Sequence, residues 1–116
     1  MSPDLYSARP TNVEPRPLQR YARALFSVPV RFQYLMPGGI RSSRGTTLDI
    51  SEGGLGAIVS GELRVGDMVE IDVPIAEATL SIVAIVRHTS GVRSGFEFVG
   101  LTLEERLQIT NVIGSA

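Results

Sequence analysis

Period-two alternation is the feature that most restricts what this chain can fold into. In "VEIDVPI" (69–75) Val69, Ile71 and Val73 alternate with Glu70 and Asp72. In "RSGFEFVGL" (93–101) Phe96 and Phe98 face one way and Glu97 the other, and "SVPVRFQYL" (27–35) sets Val28, Val30, Phe32 and Tyr34 against polar neighbours. Such a repeat makes an apolar face only in an extended strand. "GTTLDI", "GLGAIVS" and "ATLSIVAIVRHTS" read as three more strands, separated by turn chemistry at "MPGG" and "RVGDM". Pro29 places the first strand at an edge or at its own start. The run "IVAIV" is apolar at every position, which predicts a strand bridging two core layers. "TLEERLQITNVIG" (102–114) predicts a closing helix. Thr102 is its N-cap, Glu105 completes a capping box, and Leu103, Leu107 and Val112 are expected on the apolar side. Glu104 and Glu105 read as solvated carboxylates near the positive helix end. Six short strands and one helix predict a mainly all-β fold, an antiparallel barrel or sandwich.

A length of 116 residues suits one domain with a core of its own. Residues 1–19 hold four of the seven prolines, mixed with Ser, Thr, Asn and Arg, which predicts a flexible N-terminal arm over 1–15 ahead of a folded part over 16–113. Cysteine is absent, so disulfides and thiolate metal sites are excluded. The first residues have no apolar signal-peptide core and no apolar run reaches the ~20 residues of a membrane helix, so a cytoplasmic location is expected. The net charge of −1 argues against a DNA or RNA partner. All eleven basic residues are arginine: residues 1–48 hold seven against two acids, residues 49–116 four against ten. Arginine-rich codon usage explains that choice as well as planar, bidentate anion recognition does, so it supports a binding reading without carrying one.

No residue set for catalysis is present. The single histidine, His88, sits beside Arg87 near a strand end and reads as a surface or turn residue, too few ligands for zinc. A phosphate-binding P-loop needs a lysine that the chain lacks. Binding chemistry is better served by "TLDISEGGLGA" (47–57). Asp49 is an acceptor for purine N–H groups, and the Ser51 hydroxyl both gives and takes hydrogen bonds. Gly53 and Gly54 allow close backbone approach with N–H groups exposed in a nest-like turn. An ordinary Asx or Ser/Thr turn explains the same residues. On the arm, Arg16 and Arg20 form R-x-x-x-R, and Arg20 and Arg23 a tighter pair. A guanidinium can stack on a nucleobase or bond guanine O6 and N7 in bidentate fashion.

Taken in order, "RPLQR" (16–20), "VPVRF", "DISEGG" (49–54) and "RSGFEFVGL" resemble the PilZ domain family over roughly residues 16–113. The resemblance implies a six-stranded antiparallel β-barrel with a C-terminal helix, and a receptor for the bacterial second messenger cyclic di-GMP rather than an enzyme or a cofactor protein. It assigns ligand contact to Arg16, Arg20 or Arg23 on the arm, and to Asp49, Ser51 and Gly54 on the barrel, where the turn reading adds Gly53. In many relatives the second arginine stands six residues before the Pro-Val of the first strand. Here Arg23 has that place and Gln19, not arginine, lies four residues ahead of it. The working pair is therefore Arg16 with Arg20, or Arg20 with Arg23. The expected mechanism is an arm ordered by ligand, read by a downstream protein partner. The alternative is a degenerate barrel without nucleotide, acting as a protein-interaction adaptor.

Overall fold

The computed structural model describes residues 22–36 and 39–115. They form β1 (Arg23–Leu25), β2 (Pro29–Met36), β3 (Gly39–Ser51), β4 (Gly54–Val59), β5 (Met68–Ile75), β6 (Ala78–Ser90), β7 (Arg93–Val99) and the helix α1 (Leu103–Ser115). Every paired neighbour is antiparallel. The sheet runs β1-β3-β2-β5-β6-β7-β4, and β4 returns to pair with β3. The last six of these strands close into a six-stranded barrel, as the family resemblance implies and as one of the two architectures that the strand pattern allows. β1 is an additional three-residue strand on the far end of β3, with Arg23 opposite Ser51 and Leu25 opposite Asp49. The sequence reading has no strand there, because three residues carry too little pattern. β3 also begins well before the predicted "GTTLDI", pairing with β2 from Gly39 onward.

The alternating residues fill the barrel. Phe32, Ile50, Leu55, Ile71, Val73, Ile82 and Val86 are all buried, and burial rather than propensity is what holds such short strands. Phe32 on β2 and Phe96 on β7 lie on opposite sides of the ring, yet their rings stack with centroids 5.0 Å apart, so one aromatic pair spans the interior. The predicted bridging strand is instead one-sided. Ile82, Ala84 and Val86 point inward, whereas Val83 is exposed and Ile85 half-buried. A barrel has one core, and the outer face of β6 meets solvent.

The helix caps the barrel as predicted at its start: Thr102 N–H donates to Glu105 Oε1, and Glu105 N–H donates to Thr102 Oγ1. Its buried stripe differs. Ile109 is fully buried with Val112 and Ile113 packed beside it, while Leu103 and Leu107 are 73% and 54% exposed. The helix docks from Ile109 onward, chiefly against β3, and its earlier Leu103 and Leu107 turn to solvent.

A buried threonine fixes where β1 leaves the barrel. Thr47 Oγ1 accepts from Val28 N–H at 2.9 Å and donates to the Phe26 carbonyl at 2.5 Å. These bonds tie the β1–β2 connection to β3 and hold Arg23 in place above the turn at 51–54.

Candidate functional site

Two β-bulges build the site. On β3, pairing with β4 runs through Thr47 opposite Ala57 and resumes at Asp49 opposite Gly56, leaving Leu48 as the extra residue. On β6, pairing with β7 runs through Val86 opposite Phe96 and resumes at His88 opposite Gly95, leaving Arg87 extra. Strict alternation would put Asp49 on the face of buried Thr47, and His88 on that of buried Val86. Each bulge reverses the parity and turns its residue outward. Because Gly56 also pairs with Gly95, a single row crosses four strands: Asp49, Gly56, Gly95, His88. The middle of that row is bare backbone.

At one end the Asp49 carboxylate accepts from Gly56 N–H at 3.1 Å and pairs with Arg23 Nη1 at 2.7 Å. More than half of the Arg23 side chain is open to solvent, so the pair stabilises the fold by at most about 1 kcal/mol and leaves the guanidinium available. At the other end the His88 imidazole lies across Gly95: a Cβ there would fall 2.2 Å from Cε1, which only glycine avoids.

The turn between β3 and β4 is held from within. Ser51 Oγ is buried, accepts from the N–H groups of Gly53 and Gly54 at 3.2 Å each, and donates to the Gly54 carbonyl at 3.3 Å. Those two N–H groups thus face Ser51 instead of standing exposed as the sequence reading expects. Gly54 has a packing role, since a Cβ would lie 2.0 Å from the Phe96 carbonyl oxygen. The neighbouring ladder bond, Phe98 N–H to the Gly53 carbonyl, measures 2.8 Å.

Beside this turn opens a cleft of about 570 Å³, a usual size for a small-ligand site. Arg23, Ser51, Gly53 and Gly54 line it, and Asp49 stands behind Arg23 as its anchor. Arg16 and Arg20 lie outside the described residues. Among the cleft residues that the sequence reading does not assign to the site, Arg87, His88 and Arg106 carry donors. Arg87 is paired with Glu97, itself a lining residue. Arg106 reaches the cleft from the first half of α1. Strand pairing and helix docking bring these groups together from segments that show no shared motif.

The family described as PilZ domain matches residues 17–115. Among solved structures, the PilZ domain of CeSA from a cellulose-synthesizing bacterium superposes with a TM-score of 0.64 at 20% identity, covering 80% of this chain and 95% of that one. The PilZ domain of YcgR from Escherichia coli, determined with c-di-GMP, gives 0.64 at 20% identity, covering 84% and 89%. YcgR in complex with c-di-GMP, also from Escherichia coli, gives 0.65 at 23%, covering 84% of this chain and 45% of that chain. No curated protein matches the sequence.

Proposed function

Because this chain belongs to the PilZ domain family, we propose that it is a receptor for cyclic di-GMP and has no catalytic activity of its own. The observation that carries the reading is the cleft beside the 51–54 turn, with Arg23 held at its rim by Asp49. Two structural neighbours were determined with this ligand, which supports the choice of nucleotide.

Cyclic di-GMP offers two guanines and two phosphates. Guanidinium groups suit both, stacking on a base or making charge-assisted bonds to phosphate or to the guanine O6 and N7 edge. Arg23 is already at the site. Three residues reach at most about 11 Å, so Arg20 is tethered within range of the same ligand, and Arg16, seven residues from Arg23, within about 25 Å. In this reading the arginines of residues 16–23 grip the nucleotide from the β1 side, while Asp49 and the turn of Ser51, Gly53 and Gly54 support it from the barrel. Ordering the N-terminal arm costs conformational entropy that the new charged contacts offset. The ordered arm then presents a new surface to a downstream protein partner in the bacterial cytoplasm, an order–disorder switch. The adaptor alternative gains no supporting observation among the described residues.

Calorimetric titration with cyclic di-GMP tests the reading. Binding is expected for the wild-type chain, with losses of at least tenfold for Arg20→Ala and for Asp49→Ala. Amide exchange over residues 9–24 should slow on adding ligand. A wild-type chain that gives no heat with cyclic di-GMP would sink the proposal.

A further inference from the structure

The cleft has a second wall that the D-x-S-x-x-G turn and the arm do not supply. His88 ends the row of Asp49, Gly56, Gly95 and His88, and Arg106 faces the same space from α1. Neither side chain has a hydrogen-bond or ion-pair partner among the described residues, whereas the other two cleft arginines are paired, Arg23 with Asp49 and Arg87 with Glu97. A solvated surface histidine needs no special backbone. This one has two devices behind it: the Arg87 bulge that turns it outward, and a glycine at 95 that leaves room for its ring against the strand.

Resting on the cyclic di-GMP reading, we propose that His88 and Arg106 are ligand-contacting residues forming the far wall of the site. The imidazole, laid over Gly95, gives a planar surface on which a purine stacks. The Arg106 guanidinium, the unpaired arginine of the cleft among the described residues, takes a phosphate on the side away from Arg23. A dinucleotide with two bases and two phosphates is then held from two directions. Gly95 acts as a positioning residue, because any side chain there would lift the imidazole off the floor.

The experiment is calorimetric titration of cyclic di-GMP into the full chain and its variants, with thermal unfolding of each. Arg106→Ala should weaken binding about tenfold to a hundredfold, as expected for loss of a charge-assisted hydrogen bond. His88→Ala should weaken it about tenfold, within the range of lost base stacking. His88→Phe keeps a plane and should stay within about threefold of wild type. Gly95→Ala should reproduce the His88→Ala loss. Both side chains are exposed, so unfolding midpoints should not move, and Arg106→Gln provides a milder change that keeps the stem. Wild-type affinity in Arg106→Ala and His88→Ala, with Arg20→Ala impaired, overturns this inference and leaves the receptor reading intact. Equal losses in His88→Phe and His88→Ala overturn the stacking role. Absence of wild-type binding overturns both readings together.

Discussion

Gly54→Ala separates packing from ligand contact in the 51–54 turn. The added Cβ would start 2.0 Å from the Phe96 carbonyl oxygen, and Cβ atoms essentially never come closer than 3.0 Å to such a neighbour. β4 and β7 must therefore part locally by about 1 Å. The ladder bond from Phe98 N–H to the Gly53 carbonyl, now 2.8 Å, would stretch beyond hydrogen-bond range. Overpacking costs about 1–3 kcal/mol and the lost bond about 1 kcal/mol. The lower chain entropy of alanine returns about 0.5–1 kcal/mol. A net loss of about 1–3.5 kcal/mol remains, which in a domain of this size lowers the unfolding midpoint by roughly 4–20 °C. Thermal unfolding followed by circular dichroism, without nucleotide, reads this directly. Gly56→Ala is the contrast. The nearest neighbour of its Cβ would be the Asp49 carboxylate, at 3.1 Å, and a side chain can give way, so the expected loss is under about 1 kcal/mol. A Gly54→Ala chain that unfolds within 2 °C of wild type would refute the packing argument.

Other perturbations have equally definite outcomes. Thr47→Val removes the hydroxyl that serves Val28 N–H and the Phe26 carbonyl, and should cost about 1–3 kcal/mol in urea unfolding. Ala76 is the one non-glycine residue at positive φ (55°) among the described residues, at the first central position of the tight β5–β6 turn, where glycine is usual. Ala76→Gly should therefore raise stability by about 1 kcal/mol, and a lower midpoint would contradict the strain assigned to it. Ile109→Ala should cost about 2–4 kcal/mol and Leu107→Ala less than about 0.5 kcal/mol, a difference that denaturant titration of the two variants resolves.

The barrel was legible because its strands alternate cleanly: β5 and β7 bury the residues that period two selects. The capping box of α1 was equally readable, since Thr102 and Glu105 act on their own helix turn. The helix's buried face was not, because it depends on where the helix docks. Asp49 was readable from its motif, but the outward direction of both ends of the glycine-floored row was hidden for a sharper reason. A bulge inserts one residue without a distinctive sequence, and parity counted through Leu48 or Arg87 then points Asp49 and His88 to the wrong face. Gly95 lies within "RSGFEFVGL", but nothing in that stretch sets it apart. Its meaning lies in a histidine seven residues earlier, brought opposite by hairpin register. The turn residues were readable as a cluster, but the inward engagement of their N–H groups by Ser51 required the fold.

The contact between Arg23 and Asp49 gives the receptor reading a set-point. A guanine or phosphate that recruits Arg23 competes with a carboxylate already in possession of it at 2.7 Å. In the receptor reading, ligand affinity is lowered by the pair that Arg23 must give up, a cost of at most about 1 kcal/mol or roughly fivefold. Weakening the internal partner, as Asp49→Asn would, frees the cation but also removes a support for the ligand. The threshold and the grip therefore cannot be adjusted separately through this residue.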